Sequence, residues 1–283
     1  MKTAIITDSG ANLTESFLEK HDNVFMIPLM ITIDGETYRD QVDISSEDVY
    51  AKLDNHKVTT SLPSLDDLTD VLETIKKAGY TDVLALNLSS NLSGTFNAFR
   101  LVFEDEKDLN ITHYDSKTLG GGLSILVEDA VRLLDDGVSI EEIIVHLNQV
   151  RYHDSIAIYT IDTLKYLKRG GRIGKVEGTI GNILRVKPII TVDDDGVYET
   201  LSKTWGLQRA LLQMKTMIKD MFKDEPIDLI VHYGDDPDKA QSLSEKLQNE
   251  LNVRNVSLVK LTPVLGVHTG PALFAYIAKR VTS

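Results

Sequence analysis

The sequence has no cysteine at all. That excludes disulfides, thiol catalysis and thiolate metal sites, and it fits a chain kept in a reducing cytoplasm. Basic residues are also in short supply: 30 Lys and Arg stand against 43 Asp and Glu, for a formal net charge of −13 at pH 7. A chain this acidic lacks the basic face that displaces phosphate counterions, so neither nucleic acid nor an anionic membrane is an expected partner. Long apolar runs are missing as well. The longest, Val24 to Ile33, is interrupted by Pro28 and falls well short of the roughly 20 residues that span a bilayer. The N-terminus turns polar by Thr7-Asp8, too early for a secretory signal peptide. The seven histidines are scattered, without the paired spacing of a metal site, so no metal is expected. No repeat or low-complexity segment is present.

What remains is the composition of a globular protein, with 42% hydrophobic and 26% charged residues over 283 positions. That length allows one large domain or two ordinary ones. The stretch Val83–Arg100 is the most informative. It opens with a short apolar run, Val83–Leu88, of the length of a strand buried on both faces. The polar loop Ser89-Ser90-Asn91 then leads into an amphipathic run, predicting a helix that starts near Ser93. A hydroxyl-rich turn at a helix start offers unpaired N–H groups beside O–H groups and suits an anion. Simple N-capping by Ser93 is the competing interpretation.

The rest of the chain repeats the alternation of strand and helix. Thr3–Thr7 predicts a strand ending at Asp8-Ser9-Gly10, and Asp34-Gly35 a two-residue hairpin turn. Ser45 or Ser46, Ser64, and Ser139 with Glu142 are helix caps. Thr60 and Ser61, in a hydroxyl-dense loop, have no evident structural task. Strands are expected at Ile111–Tyr114, Ser155–Thr160, Ile189–Val192, Val197–Leu201, Ile227–Tyr233 and Val256–Leu261. Helices are expected at Thr163–Lys168, again before Lys187, over Gly206–Phe222, and after Pro271 to the end. Polar loops recur at strand ends, where open α/β sheets bind ligands. Asp8 and Asp115 either face such a ligand or only close turns.

Named chemistries fail in turn. Ser93, Asp115 and His268 follow the chain order of an α/β-hydrolase triad, but Asn91 and Thr95 stand where that nucleophile elbow needs glycine. Gly174-Lys175 is not the end of a P-loop, because Arg169 and Val176 occupy its required Gly and Ser/Thr places. No GxGxxG follows the first strand. The residues therefore outline an anion pocket without a catalytic engine.

Four motifs occur together and in order: Thr60-Ser61-Leu62-Pro63-Ser64, Ser89–Thr95, Thr163–Ile173 and His268-Thr269-Gly270-Pro271. Together they resemble the DegV family of bacterial fatty-acid-binding proteins, over nearly the whole chain. The resemblance implies two α/β domains, residues 1–154 and 155–283, with a long-chain fatty acid buried between them. It implies that Thr60 and Ser93 hold the carboxylate, with Ser61, Gly94 and His268 as further contacts. It also implies a cytoplasmic, non-catalytic carrier without cofactor, working in phospholipid metabolism. Such a carrier presents the carboxylate to a separate ATP-dependent fatty acid kinase, which makes the acyl-phosphate. Two positions depart from the family pattern: Leu62 replaces the usual Gln, and Ala272 a common Gly. A hydroxyl cradle without an Arg partner would hold the acid without clamping it. His268 could add a donor whose pKa moves through neutral pH. Arg172, in the basic run Gly170–Lys175, is the candidate for docking the kinase. The alternative function is an enzyme acting on a small phosphorylated or carboxylated metabolite at the same pocket.

Overall fold

The computed structural model describes residues 2–179 and 186–281. Their strands form three sheets. The first is four-stranded and wholly parallel, in the order Val24–Ile27, Thr3–Asp8, Asp82–Asn87, Asn110–Asp115. Its two central strands are buried on both faces, and alternate residues serve different cores. Ala4, Ile6, Val83 and Ala85 pack with Leu68, Leu72, Ile75 and Phe99 of the helices Leu65–Lys77 and Thr95–Asp105. Ile5, Leu84 and Leu86 point the other way, toward Leu123, Leu126 and Ala130 of the helix Gly121–Asp135.

The second sheet is a small antiparallel one, Glu36–Arg39, Met30–Ile33, Val58–Ser61. Asp34 and Gly35 both take positive φ (50° and 98°), the requirement of the tight hairpin turn that their sequence announces. Pro28 thus separates two strands that belong to different sheets.

The third sheet takes six strands from residues 155–280, in the order Tyr198–Trp205, Val186–Val192, Ser155–Ile161, Leu273–Arg280, Ile227–Tyr233, Val253–Lys260. One face is covered by Leu207–Phe222 and Pro237–Glu250, through Met214, Ile218, Phe222 and Leu247. The other face adds Ile161, Ile190, Ala275 and Ile277 to the core that surrounds Gly121–Asp135. That helix lies between the four-stranded and six-stranded sheets, which is why it is buried almost continuously from Gly121 to Val131.

Two expectations about this half are corrected. The chain end, Leu273–Arg280, is a strand and not a helix; it is paired antiparallel on both sides, to Ser155–Ile161 and Ile227–Tyr233. A helix does form just before it, over Pro263–Thr269, with Pro263 in its first turn. The helix expected before Lys187 is seen as a single 3-10 stretch, Gly174–Thr179, and the rest of it lies outside the described residues.

Buried polar contacts lock the Pro263–Thr269 helix against the first half of the chain. The Asp40 carboxylate accepts from Thr262 Oγ1 at 2.6 Å and from Val264 N at 2.9 Å. The Asn12 side chain accepts from Thr262 N at 2.6 Å and donates to Lys260 O at 3.0 Å. Ser46 Oγ donates to Leu261 O at 2.7 Å. Burial pushes the Asp40 carboxyl up to about 6, the cost of keeping this clamp dry.

Candidate functional site

The loop that follows the Asp82–Asn87 strand is held by two carboxylates. Asp8, wholly buried, accepts from Gly10 N at 2.9 Å, Asn87 Nδ2 at 2.7 Å and Leu88 N at 3.0 Å. Burial pushes its carboxyl up to about 6, against the pull of those three bonds. Asp115 accepts from Ser90 N at 3.1 Å and pairs with Lys117 Nζ at 2.8 Å. Neither carboxylate lines the cavity described next; both shape the loop that does.

From the far side the acidic turn Asp193–Gly196 closes on the same loop. Ser89 Oγ donates to Gly196 O at 2.8 Å and Asn91 Nδ2 to Asp195 O at 2.6 Å. Gly196 has φ +83°, and a Cβ there would stand 2.1 Å from Ser89 Oγ, so only glycine permits this approach. Arg151 ties the turn down further, donating to Asp193 O at 2.7 Å and Lys117 O at 2.8 Å.

These constraints place Thr60, Ser61, Ser93, Arg172 and His268 around one cavity of about 290 Å³. They arrive from four segments: the edge strand Val58–Ser61, the loop after Asn87, the bend after the short helix Lys165–Arg169, and the helix Pro263–Thr269. Gly94 lines a neighbouring outer cavity of about 320 Å³ that shares Leu92, Ser93 and Arg172 with the first.

Ser93 does not cap the helix. The helix begins at Thr95 with Gly94 before it and no side-chain cap bond. Ser93 Oγ instead lies 2.8 Å from Thr95 Oγ1 and accepts from Thr95 N at 3.3 Å. The hydroxyl is therefore placed at the cavity wall beside the first-turn amides, whose N–H groups have no partner within the helix.

Thr60 Oγ1 lies 2.9 Å from His268 Nε2. Burial, helped by the charges of Arg172 and Arg169, pushes the imidazole down to about 4. The ring is thus neutral at physiological pH, which corrects the expectation that His268 titrates through neutrality. Its Nδ1 has no partner, so no carboxylate orients it. The hydrolase constellation is absent in fact as well as in motif: Ser93 pairs with Thr95, His268 with Thr60, and Asp115 with Ser90 and Lys117.

Arg172 is a residue whose position sequence reasoning misjudged. Its guanidinium donates to Gly170 O at 2.6 Å and Leu92 O at 3.3 Å, and the side chain lines both cavities. The wall therefore holds a cation as well as the neutral hydroxyls expected. The flanking glycines allow it: a Cβ at Gly170 would stand 2.1 Å from His268 Nδ1.

An inner chamber of about 60 Å³ adjoins the polar cavity and shares Leu119, Tyr198 and Leu265 with it. Its other walls include Ile158, His232 and Ile277 of the six-stranded sheet and Gly120, just before the helix Gly121–Asp135. These residues carry no sequence signature, because a chamber wall uses the same types as a core. Among the described residues no group of three or more His, Asp or Glu could hold a metal ion, and no helix is long and apolar enough to cross a membrane.

Comparison with known proteins finds relatives over the whole length of the chain. A family model described as an uncharacterised protein of the DegV family matches residues 2–280. A DegV domain-containing protein of Clostridium acetobutylicum is 35% identical over 277 residues, covering 98% of each chain. A fatty-acid-binding DegV family protein from Thermus thermophilus superposes with a TM-score of 0.92 at 27% identity, over 99% of this chain and 100% of that one. A stearic acid-binding protein from Eubacterium ventriosum does so at 0.87 and 32% identity, over 99% and 98%. Likeness of this extent, in sequence and in fold, shows that the chain belongs to the DegV family.

Proposed function

We propose that the protein binds one long-chain fatty acid and does no chemistry on it. The observation that carries this reading is a cavity bearing hydroxyls, a histidine and a guanidinium among leucines, next to an apolar chamber with which it shares Leu119, Tyr198 and Leu265; an amphiphile suits both. The carboxylate meets the hydroxyls of Thr60 and Ser93, with Arg172 and the first-turn amides of Thr95–Asp105 nearby. A carboxylate taken from water needs such donors, or it costs several kcal/mol. With the His268 proton on Nε2, that N–H donates to Thr60 Oγ1 and leaves the threonine O–H free for the ligand. His268 is then a positioning residue. Thr60 and His268 do not form a catalytic dyad in this reading, because an imidazole held near 4 is too weak a base to activate a hydroxyl at neutral pH.

The structures of DegV proteins that bind fatty acids support the same ligand class here. In this reading residues 1–154 supply the carboxylate loops and residues 155–283 close the acyl pocket. The outer cavity, lined by Ser90–Gly94, Gly171 and Arg172, faces a separate ATP-dependent kinase. Binding of stearic acid and of its methyl ester, compared by calorimetry, tests the ligand assignment. The acid should bind at least ten times more tightly; equal binding would remove the carboxylate cradle. Reconstitution with a fatty acid kinase tests the partner. Arg172→Ala should sharply lower acyl-phosphate formation, and loss of stearic acid binding without any kinase-specific effect would assign Arg172 to the ligand alone.

A further inference from the structure

Among the described residues that line the polar cavity, only Ser61 and Leu62 are exposed, so they mark its mouth. Leu62 has 42% of its surface in solvent and turns the rest inward. It stands two residues on from Thr60, which in extended chain puts both side chains on one side. Its neighbours are anchored: Ser61 pairs with Met30, and Pro63 is buried. A residue before proline is held extended, so the Leu62 side chain, and not its backbone, is what can swing. Gly94 faces it from the other wall, where a Cβ would lie 3.3 Å from Leu62 Cδ2. Gly94 has φ −71°, which any residue adopts, so its missing side chain serves the approach of Leu62 and not the backbone. Leu62 lines the inner cavity and Gly94 the outer one, and their contact lies between the two.

A leucine at the charged end of a fatty-acid site gives the carboxylate no hydrogen bond. It keeps water off the bonds from Thr60 and Ser93, which strengthens them, and it takes up the space beyond them. We propose that Leu62 sets the size of the headgroup: the mouth admits a planar carboxylate and rejects a larger anion, such as a phosphate monoester, unless Leu62 is pushed out into solvent. The inference rests on the fatty-acid reading and adds what the site excludes. Charge favours the opposite choice, because Arg172 lines both cavities and a guanidinium suits phosphate. Bulk at Leu62 is what overrides it.

Lipid-free protein tests this at pH 7.5 by competition of stearic acid and octadecyl phosphate against a fluorescent fatty acid. Both probes are anions on the same chain, so the headgroup alone differs. Stearic acid should bind about fivefold more tightly or better, the low end of the cost of overfilling a packed space, because Leu62 can yield toward solvent. Leu62→Ala should weaken stearic acid by roughly threefold as water returns to the mouth, and strengthen octadecyl phosphate. The ratio of the two affinities should therefore fall by about fivefold or more. Leu62→Met keeps the volume and should hold the ratio within about twofold of the original. An unmodified protein that binds octadecyl phosphate as tightly as stearic acid overturns the proposal, whether or not the variants fold. So does a ratio unchanged in Leu62→Ala, or one that falls as far in Leu62→Met as in Leu62→Ala. Failure of stearic acid itself to bind would overturn the fatty-acid reading first.

Discussion

Removing one hydroxyl from the cradle isolates the interaction on which ligand recognition depends. Thr60 and Ser93 are half-buried, and each hydroxyl already has one protein contact: 2.9 Å to His268 Nε2 and 2.8 Å to Thr95 Oγ1. Losing a donor to a charged acceptor costs roughly 1.5–3 kcal/mol in a dry site. Partial exposure and the nearby Arg172 reduce this, so Thr60→Ala and Ser93→Ala should each weaken stearic acid binding by about 1–2 kcal/mol, or roughly 5–30-fold. The two losses should not add, because both groups serve one carboxylate. Thr60→Ala also leaves His268 Nε2 without its partner, which should lower stability by about 1 kcal/mol. Ser93→Ala likewise leaves the buried Thr95 Oγ1 and Thr95 N without their partner, so a stability loss of similar size is expected there. Thr60→Ser keeps the oxygen and should bind within about twofold of the original protein, because the hydrogen bond is retained. Titration calorimetry at pH 7.5 reads all four variants. Affinity unchanged in both alanine variants would refute the cradle; a loss in Thr60→Ser equal to that in Thr60→Ala would show that packing, not the hydroxyl, holds the ligand.

Further outcomes follow from His268, Asp40 and Gly196. An NMR titration should place the His268 midpoint near 4, with no inflection between pH 5.5 and 8; a midpoint above 6 would contradict a desolvated ring. The linked stability is present above about 6.5 and is lost as pH falls through about 4, because the folded state resists the proton that the unfolded state accepts. Asp40→Ala should destabilise the protein by about 2–4 kcal/mol in urea, since Thr262 Oγ1 and Val264 N are both left buried and unpartnered. Asp40 titrates with the opposite sign to His268. Its raised carboxyl contributes stability below about 4 that disappears as pH rises through about 6, so the unmodified protein should gain roughly 1 kcal/mol over Asp40→Asn between pH 7 and 5. Equal slopes would show Asp40 to be ionised throughout. Gly196→Ala should separate the acidic turn from the Ser89 loop and weaken ligand binding, and unchanged affinity would show the turn to be dispensable.

Local chemistry was legible in the sequence wherever a short segment decides its own structure. Ser45 and Ser139 form capping boxes with Asp48 and Glu142, and Ser64 caps its helix through Asp67 N. The hydroxyls could be picked out because they had no evident structural task, but Thr60 and Ser61 lie in the edge strand Val58–Ser61 and not in the loop expected there. The chain end was misread for the opposite reason. Leu273–Arg280 mixes good helix formers and is buried along most of its length, so it shows no alternation; pairing with two neighbouring strands overrides its local preference. The helix Pro263–Thr269 carried a usable sign in its first-turn proline. Arg172 looked like a surface charge because nothing local says that its bend folds over the cavity. The inner chamber was hidden because Gly120, Ile158, His232 and Ile277 meet only after the six-stranded sheet closes on the helix Gly121–Asp135.

Native mass spectrometry of the protein, purified without lipid extraction, tests the central claim most directly. The account predicts one bound molecule per chain with the mass of a long-chain fatty acid, released when the protein is denatured. An empty protein, or one carrying a nucleotide or a small phosphorylated metabolite, would contradict it.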